Sequence, residues 1–170
     1  MSIFQRLFGK PDRGTAPLLY DAVVKRARQP HWYVEGAVPD TVDGRFDMIA
    51  AVMSFVLLRL EGEPAATLPS TQLAEVFIED MDGQLREWGV GDIIVGKRIG
   101  KMMGMIGGRL GAYRTALESG DLKPALVRNV YRGNAPAPEA LAHVEAKLMA
   151  LHHCLVSTPV TTLLDGELPE

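Results

Sequence analysis

Between residues 93 and 117 the chain reads IIVGKRIGKMMGMIGGRLGAYRTAL, with Gly96, Gly100, Gly104 and Gly108 at a strict four-residue spacing and Gly107 and Gly111 added. Residues four apart share a face of an α-helix, so these glycines strip the side chains from one side and leave a groove. Each glycine inside a helix costs about 0.5–1 kcal/mol relative to alanine, so six of them weaken the segment by several kcal/mol unless something packs there. Either a neighbouring helix of the same domain fills the groove, or a partner does. Met102, Met103 and Met105 lie beside it with Ile106, and their flexible, polarizable side chains suit either a core or a surface that accepts varied apolar sequences. The segment also holds five cations, Lys97, Arg98, Lys101, Arg109 and Arg114, and no carboxylate, in a chain whose net charge is −3. A basic contact patch is expected along it, or else an electrostatic answer to an acidic neighbour within the fold.

That neighbour is visible in the sequence. Ser70 to about Trp88 repeats Leu73, Val76, Phe77, Met81 and Leu85 at helical spacing and carries Glu75, Glu79, Asp80, Asp82 and Glu87 outside them. Gly89-Val90-Gly91-Asp92 then reads as a tight turn in which Gly89 ends one helix and Asp92 caps the next, which makes the two an antiparallel pair. Upstream, Ala16 to Gln29 is an amphipathic helix stopped by Pro30, and residues 31–45 form a loop bearing Trp32 and Tyr33. Gly44 to Glu61 has the widest apolar stripe and belongs at the centre. Downstream, a short helix over Leu122 to Tyr131 and a longer one from Pro138 to Leu155 complete the periodic segments. No stretch alternates over strand lengths, so the expected fold is all-α, one compact domain of six to seven helices spanning residues 16–156. Residues 157–170 have two prolines and no period and are expected to be a flexible tail.

The first twelve residues stand apart. Ile3, Phe4, Leu7 and Phe8 fall on one side of a two-turn helix rimmed by Arg6, Lys10 and Arg13, the pattern of a membrane-surface contact; a helix capping the domain's own core is the alternative. No run approaches the roughly 20 apolar residues needed to span a bilayer. Cys154 is the one cysteine, and although it follows His152 and His153, adjacent positions on a helix diverge, so no metal site is expected. The glycine run lacks a preceding strand and a Lys-Ser or Lys-Thr ending, which argues against a phosphate loop. No catalytic constellation is found, no cofactor is expected, and the negative net charge argues against general DNA binding.

Several motifs taken in order resemble a known family: Leu19-Tyr20, Ala27-Arg28, Val38-Pro39-Asp40-Thr41, Asp43-Gly44-Arg45-Phe46, Asp80-Met81-Asp82, Leu85-Arg86, Gly89-Val90-Gly91-Asp92, Val95-Gly96-Lys97, Gly108-Arg109, Ala112-Tyr113 and Ala116-Leu117. Their order and spacing over about residues 18–117 are similar to those of the ubiquinol-cytochrome c chaperone family, in its shorter bacterial form. At Ala51-Val52 the chain departs from the leucine-histidine pair that members often carry there. The resemblance implies a non-enzymatic assembly factor that handles cytochrome b or another membrane subunit on its way into respiratory complex III. It also implies a possible ribosome contact, a small helical partner protein, and a place at the inner face of the cytoplasmic membrane. On this reading Met102, Met103, Met105, Ile106, Gly104, Gly108 and Tyr113 contact the client, and Lys97, Arg98, Lys101, Arg109 and Arg114 contact carboxylates, lipid phosphate or ribosomal RNA. A helical domain that binds a small apolar ligand or lipid in an enclosed pocket is the alternative.

Overall fold

From Met48 to Leu57 every residue of one helix is buried, which places that helix inside the molecule with neighbours on all sides. It is α2 (Val42–Leu60) in a computed structural model that describes residues 13–87 and 92–169. Side chains are described for those residues except 82, 84–87, 92–99, 101 and 102. Around α2 stand α1 (Ala16–Ala27), α3 (Thr67–Glu87), α4 (Asp92–Ser119), α5 (Lys123–Asn129), α6 (Pro138–Ser157) and α7 (Val160–Leu164). The described residues thus form an all-α fold of seven helices, with two short 3-10 turns at Pro30–Trp32 and Pro64–Ala66. The helices α1, α4 and α6 pack on α2, α3 lies mainly against α1 and touches α4, and α5 bridges α4 and α6.

Local chemistry sets the helix boundaries. Thr41 caps α2: its Oγ1 accepts a hydrogen bond from the Gly44 amide at 3.1 Å. Inside α2 the one buried hydroxyl, Ser54, donates to the Ala50 carbonyl at 2.7 Å and adds no unpaired polar group. Trp32 and Tyr33 anchor their loop to the end of α1, where the indole donates to the Arg26 carbonyl (2.8 Å) and the phenol to that of Ala27 (2.9 Å). Those two carbonyls belong to the last turn of the helix, which leaves them without intrahelical donors.

The C-terminal stretch departs from the expected flexible tail. Residues 160–164 form α7, Leu163 is fully buried, and Arg26 donates to the Pro169 carbonyl, so the segment lies against α1. Gly166 has φ +87°, and a Cβ there would press on the Leu18 backbone. Five helical residues are too few to show a period, which hid this element in the sequence. The N-terminal segment with Ile3, Phe4, Leu7 and Phe8, and the turn at Gly89, Val90 and Gly91, lie outside the described residues.

Two stability outcomes follow from this frame. A Cβ on Gly44 would overlap the Pro39 carbonyl, whereas one on Gly83 meets nothing within 4 Å. Gly44→Ala is therefore expected to destabilise by about 1–3 kcal/mol and Gly83→Ala to stabilise by about 0.5–1 kcal/mol, read by urea unfolding. Equal effects would show that the backbone at Gly44 has room to yield. Leu163→Ala is expected to cost about 2–5 kcal/mol, and a loss below about 0.5 kcal/mol would mean that the C-terminal segment carries no weight in the core.

Candidate open face of helix α4

The residues of α4 divide by the period of the helix. Ile106, Tyr113 and Ala116 are buried, with Arg109 on the same side, at spacings of three, four and three residues. Advancing 100° per residue, Gly100, Gly104, Gly107, Gly108 and Gly111 fall on the opposite side. A Cβ added at any of these five would meet nothing within 4 Å. No helix of the described domain fills the groove. At about 0.5–1 kcal/mol each, the five open glycines cost α4 roughly 2.5–5 kcal/mol, with no packing in return.

Clefts flank this bare strip. On one side α4 meets α2 and α3 around a cleft of about 820 Å³, whose apolar lining includes Leu57, Leu60, Ile78, Met103, Ile106 and Leu110. On the other, α4 and α5 border a cleft of about 520 Å³ lined largely by small residues, with Arg128 and Asp121 among its charged members. Gly107 lines both, so a side chain at that one position would project between them. Met103, beside the strip, is 47% exposed.

Of the expected client contacts, Gly104 and Gly108 are exposed and Met103 stands beside them. Met105 is half-buried against the core. Ile106 is nearly all core, reaching the surface only as cleft lining. Tyr113 is a correction: it is fully buried against Phe55 (ring centroids 5.4 Å apart), and burial pushes its phenol well above the ordinary value. The side chain of Met102 lies outside the described residues, as do those of Lys97, Arg98 and Lys101. Arg114 is half-exposed and pairs with Glu61 at 2.6 Å.

Arg109 is the second correction, because it turns inward and is no surface contact. Its Nη2 donates to Asp47 Oδ1 at 2.5 Å, its guanidinium lies 5.5 Å from the centre of the Phe46 ring, and its side chain is 11% exposed. Asp47 is wholly buried on α2 and also accepts from Arg132 Nε at 2.6 Å, while Arg132 Nη1 donates to Asp43 Oδ2 at 2.7 Å. Burial pushes the Asp47 carboxyl above its ordinary value while both guanidiniums pull it down. Arg132 holds a positive φ of 52°, uncommon for a residue with a Cβ, and its two carboxylate partners fix it there. Sequence reasoning missed this cluster. The available signal was Asp47 itself, a carboxylate directly after Phe46 in the most apolar helix of the chain.

A family model described as ubiquinol-cytochrome C chaperone matches residues 35–169. The match leaves Leu19-Tyr20 and Ala27-Arg28 outside it and runs on past residue 117 through α5, α6 and α7. The fold is similar to the crystal structure of the Cbp3 homolog from Brucella abortus, with a TM-score of 0.81 and 33% sequence identity over 98% of this chain and 95% of that one. No curated protein matches the chain.

Removing the Asp47 charge would leave Arg109 buried without a counter-charge. Asp47→Asn is expected to destabilise by about 3–5 kcal/mol in urea unfolding, and Arg132→Gln by about 1 kcal/mol because its guanidinium is half in water. Similar small losses in both would show that solvent reaches Arg109.

Proposed function

The chain belongs to the ubiquinol-cytochrome c chaperone family, and from that membership we propose that it acts without catalysis, holding newly made cytochrome b on the open face of α4 during complex III assembly. The observation that carries this reading is the glycine strip of α4, which costs the free protein stability and packs against nothing in the described domain. A membrane subunit awaiting assembly presents apolar helices, and small residues on one helix let the backbone of another approach closely. Gly104, Gly107 and Gly108 supply that approach, and Met103 supplies an adaptable apolar contact beside it. The clefts on either side are surface clefts, an arrangement that suits a client helix better than a small apolar ligand sealed in the core.

The remaining contacts extend the same reading. Lys97, Arg98 and Lys101, on the N-terminal half of α4, serve as the cationic contact to the client, lipid phosphate or the ribosome. Ile3, Phe4, Leu7 and Phe8 touch the inner face of the cytoplasmic membrane, close to where the client is inserted. No helix among the described residues is long and apolar enough to cross a membrane.

Filling the strip separates this role from a merely structural one. Gly104→Leu with Gly108→Leu removes two glycine penalties, so the variant is expected to melt at a higher temperature than the parent by the equivalent of about 1–2 kcal/mol. The same variant is expected to lose co-purification of cytochrome b from native membranes and to lower the complex III level in cells. A more stable variant that still retains cytochrome b would move the client surface elsewhere.

A further inference from the structure

The cleft between α2, α3 and α4 has a charge pattern that the basic half of α4 does not foreshadow. Among its described lining residues every charged side chain is a carboxylate: Glu61, Glu63 and Glu75. Their side chains are 48%, 41% and 53% exposed. Arg114, Arg59 and Arg13 pair with them at 2.6, 2.9 and 3.9 Å, Arg13 being held more closely by Glu79, and none of those arginines lines the cleft. Between the carboxylates lies the apolar lining of Leu57, Leu60, Ile78, Met103 and Leu110. Two of these carboxylates, Glu63 and Glu75, stand more exposed than the arginines that pair with them, so an apolar floor with this rim suits an apolar segment that ends in lysine or arginine.

We propose that this cleft takes the cytoplasmic end of a transmembrane helix, with its apolar side chains on the leucine and methionine floor and its flanking lysines or arginines against Glu61, Glu63 and Glu75. The inference rests on the client-binding reading above and deepens it by naming the chemistry of the part bound. Transmembrane helices carry an excess of lysine and arginine at their cytoplasmic flanks, so the acidic rim distinguishes that end from the opposite one. The rim also gives the site an orientation. An apolar floor alone binds a hydrophobic helix in either direction, whereas three carboxylates favour the direction that brings the cationic flank to them.

The test uses two synthetic helices of one apolar leucine-alanine sequence, flanked by paired lysines in one and by paired glutamates in the other, titrated into the full-length protein in a non-ionic detergent. At low salt the lysine-flanked helix is expected to bind about tenfold more tightly, the gap closing as salt is raised. Glu61→Gln, Glu63→Gln and Glu75→Gln together are expected to erase the preference while helical content stays at the parent's, with some loss of melting temperature because the largely buried Arg59 and Arg13 each lose a carboxylate partner. The corresponding triple lysine variant is expected to prefer the glutamate-flanked helix. Equal binding of the two helices by the parent, a preference that survives the glutamine variant, or binding of neither helix would each overturn the inference. Retention of cytochrome b by the parent and its loss in the glycine-filled variant would still stand in those cases, so the charge pattern fails separately from the client surface itself.

Discussion

The ion pair between Asp47 and Arg109 decides what the rest of the molecule presents to solvent. A carboxylate with no exposed surface, held between two guanidiniums, has one arrangement that satisfies it, and departing from it leaves a charge buried without a partner. Arg109 sits on α4 and Asp47 at the start of the enclosed part of α2, so the pair fixes the rotation of α4 about its own axis. With Arg109 inward, Ile106 and Tyr113 follow it at helical spacing, and the five glycines must face out. Arg132 closes the arrangement from the segment after α5. The open face is thus held open by a contact on the far side of the same helix.

Much of the architecture was legible from residue spacing. The helices α1, α2, α3, α4 and α6 follow the apolar period to within a few residues, and the glycine strip was visible as a groove before any neighbour was known. Which side of α4 the cations took was less accessible. Along the sequence Arg109 falls with Lys97, Arg98 and Lys101 in one basic segment, whereas a helix sorts residues by angle: Arg109 shares its side with Ile106 and Tyr113. Tyr113 was misplaced for a related reason, since an aromatic residue beside glycines reads equally well as a contact or as core. Asp47 was missed because an apolar stripe draws attention to its apolar members. The acidic rim joins Glu61 and Glu63, just after α2, to Glu75 on α3, a closeness that only the packing of α2 and α3 against α4 creates.

The motifs that carry the family resemblance chiefly build the frame. Tyr20 donates to Asp80 at 2.7 Å and ties α1 to α3. Thr41 caps α2, Gly44 lets the chain pass the Pro39 carbonyl, Phe46 lies beneath Arg109, and Tyr113 and Ala116 fill the core side of α4. Gly108-Arg109 looks both ways, its arginine inward to Asp47 and its glycine outward to the open strip. The motifs therefore specify how α4 is set against α2, while Met103, Gly104 and the carboxylate rim lie outside them. Part of the surface, Met103, Gly104 and the carboxylate rim, is thus written in residues other than those of the frame, which leaves that part free to vary without disturbing the fold.

An open glycine strip is a costly way to build a helix, and the cost bears on how such a surface lets go. Leucine or alanine at the same positions would stabilise α4, yet a larger apolar face would also bind the chain's own copies and other exposed helices. Glycine offers little apolar area to solvent while still permitting close backbone contact once a helix arrives. On the proposed reading the gain on binding comes from many small contacts along the strip and from the flanking clefts, and it is lost as a unit when the client leaves. A rim of half-exposed, already paired carboxylates has the same character, since each exposed pair contributes about 0–1 kcal/mol. On that same reading, shallow apolar contact together with weak, oriented charge favours one class of helix end without a tight grip.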